Sequence, residues 1–256
     1  MAERIAAAFN GHGKRAALMP YLMGGYPDLE ASVAIGEACV AAGADLVELG
    51  VPFSDPLADG PVIHAAATAA LDAGATVEGV LGVCARLSAS IPVVLMVYAN
   101  VVLVDGAKRF AGRAAAAGAD GLIVPDLPVD EAEELRAACD RSGIALVPLV
   151  APNTTPERIT EIGAVARGFV YTVSVAGTTG ERRGVPPELA DAVGRVRGGT
   201  DLPVAVGFGV STPEHARAVG GIADGVIVGT RLVRAAGEGG AEKVGEVVAS
   251  LAKSLR

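Results

Sequence analysis

Ala41-Ala-Gly-Ala-Asp-Leu-Val47 returns as Ala116-Ala-Gly-Ala-Asp-Gly-Leu-Ile-Val124 and again as Gly220-Gly-Ile-Ala-Asp-Gly-Val-Ile-Val228. Each copy reads as a helix tail, a Gly suited to the left-handed C′ position, an Asp, and a short apolar strand. Arg141-Ser-Gly-Ile-Ala-Leu-Val147 is a looser fourth copy. A joint that repeatedly turns a helix into a strand implies alternating β and α elements, and therefore a parallel sheet.

Working outward from these joints, apolar runs count out as eight strands. They lie near Ala17–Leu22, Asp45–Leu49, Val93–Tyr98, Gly121–Val124, Ala145–Val150, Phe169–Val173, Pro203–Val206 and Gly225–Val228. Helical patterns lie between them, with starts at Asp130-Glu131 and at Ser211-Thr-Pro213-Glu214, the latter with Pro near N1. Eight strand–helix units in 256 residues match a single α/β domain over residues 1–256, a (β/α)8 TIM barrel. An open doubly wound sheet is the alternative, since periodicity does not show closure. An extra helix is expected before the first strand, over Ala2–Phe9, and the segment Gly60 to Ser88 has room for two inserted helices.

Composition narrows the function class. A net charge of −8 and the absence of a basic cluster interleaved with aromatics argue against nucleic acid or an anionic membrane as partner. The longest apolar stretch, Ile91 to Val104, is interrupted by Pro92 and Asn100 and is too short to span a bilayer. The N-terminus carries an acid and no long apolar run, so no signal peptide is expected. Cys39, Cys84 and Cys139 are odd in number, widely spaced and set in Ala-rich helical segments, which fits buried thiols in a reducing cytoplasm.

In a barrel of this kind the chemistry sits where strands end and βα loops begin. Lys14, Lys108, Lys243 and Lys253 all lie elsewhere, which disfavours a Schiff base. His12, His64 and His215 are scattered, so spacing assembles neither a metal site nor a Ser–His triad. What remains at loop positions is mainly acidic: Glu48, Asp55, Asp59, Asp126 and Glu181. Period-2 alternation puts Leu46 and Glu48 on one face of the second strand. If Leu46 faces the interior, Glu48 faces the mouth, loses water and acquires a pKa suited to both giving and taking a proton. The competing reading for Glu48 is a salt bridge at the rim, and no strand-end cation is available for it. Asp59 reads equally as a catalytic acid or as a helix N-terminal acid favoured by the dipole. Asp55 reads locally as an Asx turn before Pro56.

Gly207-Phe-Gly-Val-Ser211 follows the seventh strand and Gly229-Thr-Arg231 the eighth. Loops at these two places form the usual phosphate site of such barrels, because glycine lets backbone N–H groups approach and a helix N-terminus favours the anion. Ala176-Gly-Thr-Thr-Gly-Glu-Arg-Arg-Gly184 reads either as a loop able to close over a ligand or as an ordinary solvated connection.

The stretch Glu48-Leu-Gly-Val-Pro-Phe-Ser-Asp-Pro-Leu-Ala-Asp-Gly-Pro61 resembles the signature of the tryptophan synthase alpha subunit family. The likeness continues through Tyr98-Ala-Asn100, Asp126-Leu-Pro128, Tyr171 with Ser174, Gly177-Thr-Thr-Gly180 and Gly207-Phe-Gly209, nearly the whole chain. The resemblance implies cleavage of indole-3-glycerol phosphate to indole and glyceraldehyde 3-phosphate, with no metal or organic cofactor in this chain. It also implies a PLP-dependent beta subunit as partner in an α2β2 heterotetramer. By position, Glu48 matches the acid/base residue and Asp59 the carboxylate that holds the indole N–H. Tyr171 resembles the residue beside Glu48, and Tyr21 and Met96 match indole contacts. Thr179 matches a loop hydroxyl bonded to Asp59 on closure. Gly180, Phe208, Gly209, Gly229 and Thr230 match phosphate-binding positions, while Pro52, Asp55, Asn100 and Pro128 match the partner interface. Met23, Val175 and Thr230 stand where other members often carry Thr, a basic residue and Ser, respectively.

Two other functions fit the phosphate loops. One is an isomerase acting on a sugar phosphate, which does not need the Glu48–Asp59 pair. The other is a non-catalytic barrel that activates the beta subunit, against which the intact carboxylates count.

Overall fold

The computed structural model describes residues 3–11, 13–173, 188–207 and 209–256. Its strands are β1 (Ala17–Met23), β2 (Val47–Gly50), β3 (Val93–Met96), β4 (Gly121–Ile123), β5 (Ala145–Val147), β6 (Leu149–Val150), β7 (Val170–Val173), β8 (Val204–Gly207) and β9 (Gly225–Val228). All the pairings are parallel, in the order β5-β4-β3-β2-β1-β9-β8-β7-β6. The two ends of that order, β5 and β6, are consecutive pieces of one strand separated only by Pro148. The expected single strand Ala145–Val150 is therefore split, because proline has no N–H for the ladder. Its carbonyl still accepts the Tyr171 N–H at 3.0 Å, and the ring of strands joins up through it. The barrel reading holds against the open sheet.

The helices are α1 (Glu3–Asn10), α2 (Leu29–Ala41), α3 (Pro61–Asp72), α4 (Val77–Leu87), α5 (Ala99–Asp105), α6 (Ala107–Ala116), α7 (Glu133–Ser142), α8 (Pro156–Val165), α9 (Leu189–Arg197), α10 (Pro213–Gly220) and α11 (Thr230–Ser254). The added helix before β1 and the two between β2 and β3 are present as expected. The start expected at Asp130-Glu131 falls instead at Glu133, after a turn over residues 129–132. At α10 the expected cap holds: Thr212 accepts the His215 N–H with Pro213 in the first turn. No single helix among the described residues is long and apolar enough to cross a membrane.

The repeated Asp has a physical purpose that its sequence did not disclose. Asp45, Asp120 and Asp224 each accept the backbone N–H of a residue on the neighbouring strand, Leu18, Val93 and Val204, at 2.7, 3.0 and 2.8 Å. Each also donates its own N–H to that same residue's carbonyl. Lys14, Arg4 and Arg197 pair with these carboxylates in turn. The three repeats thus tie strand starts together at the N-terminal end of the barrel. Gly43 and Gly118 are left-handed as expected, at φ 97° and 80°, but the third copy departs, with Gly221 at φ −79°.

Two apolar layers result. Inward-facing Ala17, Met19, Leu46, Val94, Ile123, Val147, Phe169, Ala205 and Ile227 fill the barrel, and Ile5 and Phe9 of α1 pack onto the same cluster. Phe9 meets Phe169 with ring centroids 5.4 Å apart. Val47, Leu49 and their equivalents point outward into the helix layer, together with Cys39, Cys84 and Cys139, which are free and buried.

Candidate active site

The alternation of β2 carries through: Leu46 lies in the inner cluster, and Glu48 follows on the same face one layer nearer the mouth. In register, Glu48 stands opposite Tyr21 of β1 and Val94 of β3. Glu48 is only 1% exposed, and neither of its carboxylate oxygens has a hydrogen-bond partner among the described residues. The salt-bridge reading therefore fails. Burial, reinforced by the charge of Asp59, raises its pKa from 4.5 to about 8. A carboxyl held there can be a proton donor near neutral pH and a base once it has given its proton.

Asp59 sits in the loop between β2 and α3, one residue before Gly60, the cap of α3. It is half-buried and lines the cavity at the barrel mouth. Burial raises its pKa, while a hydrogen bond from Tyr98 and the charge of His64 pull the other way. The two readings left open for Asp59 are thus compatible: it lies at a helix start and also faces the cavity.

Tyr98 is a site residue that the sequence did not single out in this role. It caps the start of α5, stacks on Phe53, and accepts the Ala58 N–H at 3.1 Å. Its phenol is raised above the ordinary range by burial and by Asp59. The signals available were an aromatic at the end of a strand and its place in the likeness, at Tyr98-Ala-Asn100.

Tyr21 and Tyr171 are both buried, facing Glu48 from β1 and from β7. A cavity of about 560 Å³ opens from Asp59, Met96 and Tyr171 toward Pro125, Leu127 and Leu149. That volume lies in the range of small-molecule pockets, and its lining is mainly apolar with a few polar groups, which suits a flat aromatic ring. Tyr21 also belongs to a small cluster with Met23 and with Ile63, Ala66 and Ala67 of α3. Met23 is thereby placed under α3 rather than in the cavity wall.

On the other side of Tyr21, Gly229 directly precedes Thr230, the buried first residue of α11. Gly209 takes a positive φ of 33° after β8. These are the turn geometry and helix start that an anion site requires. Phe208, Thr179 and Gly180 lie outside the described residues, as do Glu181, Ser174, Val175, His12 and the whole segment from Ala176 to Gly184.

Of the interface candidates, Asp55, Asn100 and Pro128 are exposed and Pro52 is buried. Asp55 accepts a hydrogen bond from the Ser54 hydroxyl, in keeping with its local turn. Leu57, Leu103 and Val104 were not anticipated, yet they are large apolar side chains 82%, 62% and 83% exposed. Leu57 lies in the loop of Asp55, and Leu103 and Val104 lie in the helix of Asn100. Asp126 accepts the Ala99 N–H at 2.8 Å and so ties the loop after β4 to the start of that helix.

Residues 8–255 match the sequence model of a family described as tryptophan synthase alpha chain. A protein of that name from Geobacter sulfurreducens is 43% identical over 258 residues, covering 99% of this chain and 98% of its own length. One from Synechococcus elongatus is 47% identical, covering 98% and 93%. Among solved structures, tryptophan synthase from Mycobacterium tuberculosis superposes with a TM-score of 0.93 at 42% identity, over 99% of this chain and 98% of that one. The tryptophan synthase α2β2 complex from Pyrococcus furiosus gives 0.86 at 38% identity, over 93% and 98%.

Proposed function

This chain belongs to the tryptophan synthase alpha chain family, and on that premise we propose how its own residues cleave indole-3-glycerol phosphate to indole and glyceraldehyde 3-phosphate. The observation that carries the mechanism is Glu48, dry and unpartnered at the barrel mouth and subject to the charge of Asp59. The indole ring lies in the apolar cavity against Met96, Tyr21 and Tyr171, with its N–H donating to Asp59. The phosphate lies against the N–H groups around Gly209, Gly229 and Thr230, with Gly180 and Phe208 as further contacts. Thr179 adds a hydroxyl toward Asp59.

Protonated Glu48 delivers its proton to indole C3, and the positive charge that develops on the ring is balanced by Asp59. Glu48, now a carboxylate, takes the proton from the glycerol hydroxyl next to the ring. The C3–carbon bond breaks, its electron pair returns to the indole, and the alcohol carbon becomes the aldehyde. Glu48 ends the cycle protonated, so no external acid, base or oxidant is consumed.

The chain needs no cofactor of its own, and PLP belongs to the beta subunit that receives the indole. We assign the contact surface for that subunit to Pro52, Asp55, Asn100 and Pro128, extended by the exposed Leu57, Leu103 and Val104. Exposed apolar anchors surrounded by a polar rim are the usual anatomy of an interface. Three free buried thiols fit residence in the cytoplasm.

The test is indole release from indole-3-glycerol phosphate, with and without a beta subunit, for the parent and for Glu48→Gln. No indole from the parent in either condition defeats the enzymatic reading and leaves the non-catalytic activator. Full activity in Glu48→Gln defeats the assignment of the acid.

A further inference from the structure

Glu48 has no hydrogen bond to hold it and no ion pair to explain its isolation, so something must keep water away from it. The described residues show what does. On the same inward face of β2, two residues nearer the mouth, stands Gly50 rather than a side chain. A Cβ placed on Gly50 would lie 2.3 Å from the Tyr21 hydroxyl and 2.8 Å from its Cζ, so the tyrosine ring occupies the space that a residue at position 50 would fill. Tyr21 comes from β1, where it is the register partner of Glu48 itself. Its ring therefore crosses from β1 over β2 on the mouth side of the carboxyl.

We propose that Tyr21, seated in the notch left by Gly50, is a positioning residue that roofs Glu48 and keeps it out of water. The idea rests on the assignment of Glu48 as the acid and extends it to two residues with no proton to move in the reaction. Tyr21 is held rigidly enough for this task. It packs against Ile63 and Ala66 in the cluster under α3, and its Cβ and Cδ1 lie 3.6 Å from where a Cβ on Gly229 would be. One ring thus touches the acid's strand, the helix that follows Asp59, and the turn assigned to the phosphate. Only a glycine at position 50 permits this, since the nearest obstacles to a side chain are the hydroxyl and then the ring edge of a tyrosine held on several sides.

The ionisable groups that face Glu48 and Tyr21 among the described residues are Asp59 from the loop before α3, Tyr171 from β7 and Tyr98 from the residue that precedes α5. None is a cation. Letting water reach Glu48 therefore relieves its desolvation with no attractive charge being lost, and its pKa should fall.

The experiment compares the parent with Tyr21→Phe, Tyr21→Ala and Gly50→Ala in the full chain, with the beta subunit present. Two readouts are taken: the pH profile of kcat for indole release, and an infrared titration of the buried carboxyl, assigned by its loss in Glu48→Gln. If protonated Glu48 is the active form, activity disappears as pH rises through its pKa. Tyr21→Ala is expected to move that limb, and the infrared midpoint, down by about one pH unit or more. Tyr21→Phe keeps the ring and should leave both in place. Gly50→Ala should act like Tyr21→Ala, because the new methyl displaces the ring; if it does not fold, the two Tyr21 variants still decide. The proposal is overturned if Tyr21→Ala leaves the infrared midpoint unmoved, or if Tyr21→Phe shifts it equally, which would give the role to the hydroxyl. An infrared midpoint that shifts as expected in a chain releasing no indole would leave the roof standing and remove the proposed reaction instead.

Discussion

Phe53 lies stacked on Tyr98, ring centroids 5.3 Å apart with planes at 29°. The loop that delivers Asp59 is therefore clamped to the start of α5, and its prolines are only part of what fixes it. The Tyr98 hydroxyl completes the clamp by accepting the Ala58 N–H and donating to Asp59. Catalysis by positioned groups tolerates little displacement, so this clamp belongs to the site as much as the carboxylates do.

Removing the hydroxyl while keeping the stack should separate these roles. Tyr98→Phe retains the ring contact with Phe53 but leaves Asp59 without its phenol donor. A hydrogen bond to a charged group is worth about 1.5–3 kcal/mol, so kcat/KM for indole release should fall roughly tenfold or more. Steady-state kinetics against an unchanged thermal unfolding curve checks this. Unchanged kinetics would show that Asp59 does not depend on Tyr98.

Glu48→Gln should abolish most of the activity, by roughly 10²–10⁴-fold, as for the loss of a general acid. It should also change the pH dependence of stability. The folded pKa of about 8 lies above the unfolded value of 4.5, so the native state holds the proton more tightly. The resulting contribution to stability is complete below about pH 4.5 and is lost as pH rises toward 8. Urea unfolding at a series of pH values should show the parent losing stability through this window. Glu48→Gln should lose less, ending relatively more stable at the alkaline end.

Phe9 plugs the barrel from below through its contact with Phe169, and α1 has few other deep anchors besides Ile5. Phe9→Ala is expected to cost about 3–5 kcal/mol in a denaturant titration, the usual penalty for emptying a buried aromatic site. Because the plug lies at the opposite end from Glu48, KM should change little in the fraction that folds.

Leu103 is exposed in this chain and stands on the helix of Asn100. Leu103→Ser should leave the isolated chain within about 0.5 kcal/mol of the parent, as for an ordinary surface change. Affinity for the beta subunit should fall roughly tenfold, consistent with the loss of an apolar anchor. Isothermal titration with the partner measures the second effect, and equal affinity would remove Leu103 from the interface.

Much of this protein could be read in advance, for identifiable reasons. The helix–Gly–Asp–strand joint repeats because the same physical task recurs around the barrel: ending a helix at a glycine and starting a strand whose Asp ties it to its neighbour. Glu48 was legible because β2 alternates cleanly and the other reactive side chains fall in the wrong places. The break at Pro148 was visible as a residue but not as a consequence, because an apolar run reads the same whether or not its ladder is continuous. The late start of α7 was hidden in the same way, since Asp130-Glu131 are as acceptable in a turn as in a first helical turn.

The sequence by itself determined the alternating pattern, the acid at the end of β2 and the family likeness, all of which depend on neighbours along the chain. Only the tertiary structure decided that Tyr98 holds Asp59, that the three repeated Asp residues tie neighbouring strands together, and that Tyr21 fills the space above Glu48. Those are contacts between residues 20 to 40 positions apart, set by strand register and by the volume a missing Cβ leaves open. Local pattern can place a carboxyl on the inner face of a barrel. Whether water reaches it depends on what the next strand lays across it.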